Sequence, residues 1–139
     1  MAMLFVLPAN ALDTSTGTAI TPPQRASAYI SGYIADTCAL NNGNIAVAFT
    51  IIGSGRMDSL GATSISLYEI SSGRITRVAR YSQTTNPELS ANNMTAYGTE
   101  IIFSNAVSGR QYYAVVELFA SKGGGSDSRT YTTANVTAK

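Results

Sequence analysis

Apolar side chains recur at every second position in short runs over most of the chain from Ser27 onward, and this alternation constrains the fold more than any other feature. In the segment 44–52, NIAVAFTII, the alternation places Ile45, Val47, Phe49 and Ile51 on one side. Successive side chains of a β-strand point to opposite faces, whereas a helical side chain returns to the same face only after about 3.6 residues. Gly, Asn and Ser separate the runs, as expected of turns. The sequence therefore predicts an all-β fold.

The number and spacing of these runs predict a particular architecture. Seven strands are expected, each under about a dozen residues, as in an immunoglobulin-like antiparallel sandwich of two sheets. They are expected at 27–35, 44–52, around Ile65 and Leu67, and at 74–81, 96–104, 112–120 and 128–138. In the first, Ala28, Ile30 and Ile34 are expected on one face and Tyr29 and Tyr33 on the other. Gly53 and Gly55 are expected to take positive φ in a loop, and residues 82–95 to form a long loop.

The N-terminal region predicts export. Residues 1–11 combine a short apolar run with Ala9-Asn10-Ala11, the small-x-small spacing that a signal peptidase accepts, and they predict a truncated signal-peptide remnant. A short N-terminal strand is the alternative. Residues 12–26 are expected to form a Thr/Pro-rich linker, and residues 27–138 an Ig-like β-sandwich domain. No segment approaches the length of a membrane span. We therefore expect an extracellular or cell-surface protein.

Composition narrows the chemistry. The chain has no histidine, which removes the usual general base and most zinc sites, and its nine basic and eight acidic side chains nearly balance. Such a balance gives no reason to expect a nucleic-acid partner. Cys38 is the only cysteine and is expected to be a small buried apolar residue, because free cysteine usually packs in this way. We predict no catalytic residue, no cofactor and no metal.

Two conspicuous clusters have structural explanations beside functional ones. Gly123-Gly124-Gly125 lacks the spacing and the Lys-Ser/Thr pair of a phosphate loop, so a hairpin tip is the better interpretation. Arg74, Arg77 and Arg80 have donors suited to a sulfated or phosphorylated polymer, yet arginines also protect the edge of a sheet from aggregation. Strict alternation would put Arg74 and Arg80 on one face and Arg77 on the other.

The carboxylates predict no catalytic pair. Three aspartates fall in predicted loops and three glutamates in predicted strands, so the sequence alone brings no two of them to the separation that glycoside hydrolysis requires. They are Asp36, Asp58, Asp127, Glu69, Glu100 and Glu117. A small carboxylate-based hydrolase is therefore a distant alternative.

Tyr112 and Tyr113 open the sixth predicted strand and point in opposite directions. Counting in twos from Tyr112 gives Ala114, Val116, Leu118 and Ala120 on one face, and Glu117 falls on the other. Because a lone buried carboxylate is costly, the face of Glu117 should be the solvent face. Tyr112 is therefore expected in the core and Tyr113 outside.

The segment from Gly109 to Ser126 resembles the sixth strand of fibronectin type III domains. The resemblance rests on Gly109-x-x-Tyr112, the alternation that follows and the glycine-rich turn. It implies that Tyr112 turns its hydroxyl back to the backbone as a tyrosine corner, with Gly109 beside it. The tryptophan usual in the second strand of that family is missing here.

A closer resemblance covers about residues 27–138. The segments ASAYISGYIA, GSGRMDSLGATSISLYE and YYAVVELFASKGGGSDSRTYTTANVTA look like a family of small secreted Ig-like proteins of unknown function from Clostridia-type Gram-positive bacteria. This resemblance implies a fold and a compartment. It implies no catalytic or binding residue.

A surface of outward-facing apolar side chains is the functional candidate. Two neighbouring strands should expose Tyr68, Ile70, Tyr113, Val115 and Phe119, and a contiguous exposed apolar patch marks an interaction site. The sequence thus predicts a secreted, non-enzymatic binding module of unknown ligand, with a cell-wall glycan or a surface protein as the candidate partners. A structural spacer without a ligand is the alternative. The oligomeric state is not predicted.

Overall fold

The structure, a computed structural model, describes residues 27–139, so the predicted signal remnant at 1–11 and linker at 12–26 lie outside it. Over residues 27–139 the fold is all-β, with seven antiparallel strands and two short 3-10 helices. The strands are β1 (Ile30–Ala39), β2 (Ile45–Ser71), β3 (Arg74–Ser82), β4 (Ser90–Phe103), β5 (Gln111–Lys122), β6 (Gly125–Thr132) and β7 (Val136–Thr137). The 3-10 helices span Asn41–Gly43 and Pro87–Leu89. No helix of the described chain is long and apolar enough to cross a membrane.

Strand β2 runs for 27 residues, where the sequence predicted two strands separated by a loop. Neither Gly53 nor Gly55 has a positive φ. A Cβ on Gly53 would lie 2.7 Å from the Met57 side chain and 2.8 Å from the Gly55 carbonyl oxygen. This glycine therefore permits close backbone approach at an irregular, extended segment, not a turn. The loop prediction was wrong because glycine signals both situations.

The two parts of β2 have different neighbours. Its first part, residues 45–52, lies between β1 and the last part of β4. Its last part, residues 64–70, lies between β3 and β5, and β5 continues the sheet to β6 and β7. Between them, residues 57–61 pair with the beginning of β4, and residues 59–62 pair on the other side with the end of β5. One long strand thus connects two groups of strands.

Both groups bury their apolar faces in one core. The alternation predicted for 44–52 and for the strand after Gln111 is confirmed, since both sets of alternate side chains are buried. The large buried apolar side chains include Ile45, Val47, Phe49, Ile51, Met57, Leu60, Ile65, Leu67, Leu89, Ile101, Phe103, Tyr112, Val116 and Leu118.

The prediction for the first strand was wrong in its second half. The pairing of β1 with β2 shifts register between Ile30 and Gly32, and such an irregularity exchanges the two faces of a strand. Ile30 is buried, but Ile34 is 58% exposed and Ala35 is buried in its place. Cys38, expected in the core, is exposed.

The predicted loop at 82–95 is shorter than expected. Leu89 is completely buried, and from Ser90 the chain is already in β4. Gly61 permits this approach, because a Cβ there would clash with the Leu89 carbonyl oxygen and lie 2.5 Å from the Ser90 Cα. Polar composition predicted a loop, but pairing with β2 supplies the hydrogen bonds of a strand. The predicted hairpin tip is confirmed, with Gly123 and Gly124 at positive φ between β5 and β6.

Candidate interaction faces

Tyr68 on β2 and Tyr113 on β5 are direct cross-strand partners, and both side chains point away from the core. Their ring centroids lie 5.3 Å apart and their planes differ by 12°, so the rings stack. Both residues are half-buried. In such a stack, each ring covers one face of the other. We infer that the ring edges point toward solvent.

The structure brings together four of the five residues predicted for the apolar patch. Ile70 lies opposite Gln111, two positions from Tyr68, and Val115 is two positions from Tyr113. Phe119 is six residues beyond Tyr113, about 20 Å along a strand, and packs opposite Gly61. All five are half-buried. The patch is therefore narrower and less exposed than predicted, with Phe119 at its far end.

Two arginines of β3 lie beside the tyrosine pair because the pairing of β3 with β2 shifts register. In the pairing of β3 with β2, Arg77 lies opposite Tyr68 and Arg80 lies opposite Ser66. Val78 has no partner on β2, so β3 has one extra residue at this point. Arg77 and Arg80 therefore lie on the same side of the sheet, that of the tyrosine pair, and the prediction from strict alternation was wrong. Arg74 lies opposite Ser71 at the hairpin end.

These arginines are exposed and free of carboxylates. Within residues 27–139 the one ion pair is between Arg110 and Glu69, so neither Arg77 nor Arg80 has an acidic partner there. Strand β3 pairs with β2 alone in the same part of the chain, which makes it an edge strand. We refer to this surface as the tyrosine face; it consists of Tyr68, Ile70, Ile75, Arg77, Arg80, Tyr113 and Val115.

Tyr112 points the opposite way, into the core. Its hydroxyl accepts a hydrogen bond from the Val107 backbone N–H (2.7 Å) and donates one to Glu69 Oε2 (2.6 Å). Burial raises the pKa of Tyr112 above its usual 10.0, and the hydrogen bond to Glu69 raises this pKa further. Gly109 has φ +88°, and its N–H donates to the Ala138 carbonyl oxygen at 2.9 Å. These contacts fasten the turn before β5 to the core.

Glu69 was predicted only as one of three strand glutamates, and the structure shows that its side chain points inward. It shares the core side of β2 with Leu67, and its side chain is 14% exposed. Arg110 Nη1 lies 3.1 Å from its Oε1, so both carboxylate oxygens have donors. The signal was available, because Glu69 is in phase with Ile65 and Leu67 and an inward carboxylate needs a partner.

A cavity of about 280 Å³ opens beside Glu69 and Tyr112. Its remaining walls are Leu67, Val78, Ala79, Tyr81, Phe103 and residues 104–106. Glu69 is the one carboxylate among these lining residues. Arg110 and Tyr112 each donate a hydrogen bond to this carboxylate, which links Glu69 to the turn before β5. No cluster of three or more metal-ligating side chains occurs between Ser27 and Lys139.

Two other carboxylates lie near one another on the outer side of the group formed by β1, the first part of β2 and β4. Asp36 on β1 and Glu100 on β4 are both register partners of Ala48 on β2, which places all three on one side. Their backbones are two strand spacings apart, about 10 Å. Asp36 was predicted in a loop, as were Asp58 and Asp127; instead they lie in β1, β2 and β6. Only the register reveals this pair.

Apolar residues surround this pair, with small residues near the centre and isoleucines farther out. The same side carries Ile34, Ile52 and Ile102, which are 58%, 45% and 42% exposed. Both carboxylates are exposed on the sheet surface. We refer to this surface as the acidic face; it consists of Ile34, Asp36, Ala48, Ile52, Ala96, Gly98, Glu100 and Ile102.

Comparison with protein-family models, with curated proteins and with solved structures finds no match to this chain.

Proposed function

We propose that this protein is a secreted, non-enzymatic binding module with a fibronectin III-like sandwich, and that it docks a macromolecular partner through the tyrosine face. The proposal of a sandwich is supported by the strand pairing. One group is β1, the first part of β2 and β4, and the other is β3, the last part of β2, β5 and β6. These groups correspond in chain order to the two sheets of a fibronectin III domain, with Tyr112 at the place of the tyrosine corner.

The compartment and the family remain part of the proposal. The apolar stretch before Ala11 and the resemblance to small secreted Ig-like proteins of Clostridia-type bacteria both support export. A partner at the cell surface, either a wall glycan or a surface protein, follows from that compartment.

The tyrosine face carries the binding proposal. A stacked tyrosine pair lies beside two exposed arginines that no carboxylate of the described chain neutralises. Tyrosine and arginine, together with tryptophan, are enriched at binding hot spots, because each offers a large contact area together with polar groups. Tyr68 and Tyr113 also lose little conformational freedom on binding, since each ring already holds the other in place.

The position of β3 favours a structural spacer as the second candidate. Arg74, Arg77 and Arg80 are all exposed on this edge strand, and charges at an edge prevent pairing with other chains. A spacer needs this protection and no ligand. The two candidates therefore differ in whether the tyrosine pair contributes to binding.

A binding screen with one substitution distinguishes them. The purified protein is passed over insoluble cell-wall glycan and over immobilised surface proteins. We expect retention on one of these supports and a loss of about tenfold or more in affinity for Tyr113→Ser, the scale of a hot-spot residue. Val107→Ser is the matched control, because Val107 is a 44% exposed aliphatic residue in the loop before β5.

The fold of both variants is checked by circular dichroism. Tyr113→Ser loses the ring stack and about 1 kcal/mol of stability with it, which leaves the domain folded. Equal retention of the wild type and Tyr113→Ser would show that the tyrosine face does not bind.

A further inference from the structure

The tyrosine face and the acidic face carry opposite charges. On the tyrosine face, Arg77 and Arg80 are exposed without a partner within residues 27–139. On the acidic face, Asp36 and Glu100 are exposed and make no ion pair in the same part of the chain. Glu117, beyond Val115 on β5, is the acidic residue nearest to the tyrosine face along that strand. Each face therefore offers two charges that the other can neutralise.

The apolar parts of the two faces are complementary as well. The centre of the acidic face is built from small residues, with Ala48 between the two carboxylates and Gly98 beside Thr50. Gly32 continues it, since a Cβ there would lie 4.0 Å from the Ile52 side chain. Small residues at the centre and isoleucines at the margin leave room for the edges of the two tyrosine rings.

We propose that the partner of the tyrosine face is the acidic face of a second copy of this chain. The inference rests on the proposed function, because it takes the tyrosine face as the docking surface and names what docks there. Arg77 and Arg80 of one copy pair with Asp36 and Glu100 of the next, while Tyr68 and Tyr113 contact the small residues around Ala48. The contact is heterologous, so each added copy leaves one free face of each kind.

Charge selects this partner over a wall glycan. The whole chain carries a formal net charge of +1, so no long-range repulsion opposes the association of identical copies. The two carboxylates match the two arginines in number and sign. A neutral glycan would leave all four groups unpaired, and an anionic glycan would leave Asp36 and Glu100 without a role.

The spacing of the charges sets the relative orientation of the copies. Arg77 and Arg80 lie opposite Tyr68 and Ser66, about 7 Å apart along the strand direction, whereas Asp36 and Glu100 are about 10 Å apart across the strands. The two pairs align when the strands of one copy cross those of the next at nearly a right angle, as in orthogonal sheet packing.

The size of the faces sets the strength of the association. Three strands over about eight residues cover about 10 by 25 Å, well below the ~800 Å² per partner of a stable interface. We therefore expect weak, reversible self-association that becomes stronger at low salt, because exposed ion pairs are screened.

Sedimentation with charge-reversed variants tests the inference. For the wild-type chain, the weight-average mass should rise between about 10 μM and about 1 mM and fall toward the monomer as salt is added. The variant R77E/R80E and the variant D36K/E100K should each remain monomeric. An equimolar mixture of the two should associate again, because the reversed tyrosine face of the first variant matches the reversed acidic face of the second.

A matched control changes the net charge without touching either face. Arg56→Glu with Lys122→Glu makes the same change in charge as R77E/R80E at two exposed positions, so this variant should associate like the wild type. Circular dichroism confirms that each variant is folded.

The outcomes separate this inference from the proposed function. A wild-type chain that stays monomeric to about 1 mM, or a mixture that does not associate, would overturn the inference. If Tyr113-dependent retention on a glycan or surface protein persists in that case, the proposed function stands with a different partner. If that retention is absent too, both fail.

Discussion

Replacing Tyr112 with phenylalanine removes one hydroxyl group and preserves the ring in the core. Tyr112 is 1% exposed, so the ring has little freedom to move toward solvent. The substitution breaks the bond from the Val107 N–H and the bond to Glu69 Oε2. Arg110 continues to hold the other oxygen of Glu69.

The expected loss in the free energy of unfolding is about 2 kcal/mol. A neutral hydrogen bond contributes about 1 kcal/mol net, and one to a charged group about 1.5–3 kcal/mol. The sum is reduced because the Glu69 side chain is 14% exposed and water can replace part of the lost bond. This loss is a large fraction of the ~5–15 kcal/mol by which a domain is typically stable.

Urea denaturation at two pH values measures the effect. At neutral pH the midpoint for Tyr112→Phe should fall by about 1–2 M with an unchanged slope. The pKa of Tyr112 is raised in the folded state above 10.0, so the stabilisation by the hydroxyl is complete below pH 10.0 and is lost as pH rises through the folded pKa. The difference between the wild type and the variant should therefore shrink at alkaline pH.

Tyr113→Phe is the matched control, since it removes a hydroxyl from the neighbouring half-buried ring and retains the stack with Tyr68. Its midpoint should change little. Equal midpoints for the wild type and Tyr112→Phe at neutral pH would refute the reasoning, and so would a difference that stays constant into the alkaline range.

Two further predictions concern the backbone near Gly61 and the beginning of β1. Gly61→Ala should lower the free energy of unfolding by more than about 2 kcal/mol in urea, because φ is +152° and a Cβ would clash with the Leu89 carbonyl oxygen; an equally stable variant would contradict this. The hydrogen bonds that Ser27 and the Tyr29 N–H donate to Asp127 lower the pKa of Asp127 below its usual 3.8. The stabilisation is present above pH 3.8 and lost as pH falls through the folded pKa, so thermal melts at acidic pH should show a weaker pH dependence for Asp127→Asn than for the wild type.

The core faces of the long alternating runs could be predicted from the sequence. Every second residue from Ile45 to Ile51 and from Tyr112 to Ala120 is apolar, and the structure buries these side chains. Tyr113 was assigned to the solvent face because Glu117 is in phase with it, and both residues lie on that side. In these segments, the period of two correctly predicted which face of the strand is buried.

The candidate faces could be predicted only in part. Tyr68 and Tyr113 were expected on one surface, but Arg77 joins Arg80 there because of the irregularity at Val78. Ile34 was expected on the same face as Ile30 but lies on the outside, because the register of β1 shifts between Ile30 and Gly32. A shift of one residue exchanges the faces of a strand, and nothing in the local composition of these segments marks it.

By itself, the sequence determined that the chain is all-β, which alternate side chains of residues 45–51 and 112–120 are buried, and that its last hairpin turns at the glycine cluster. The tertiary structure decided that β2 is one strand with different neighbours along its length, and that Asp36 and Glu100 lie on either side of Ala48. Alternation is a local property of the chain, whereas strand register depends on pairing between residues far apart in sequence. The charges that give each face its character are therefore visible only after the strands have paired.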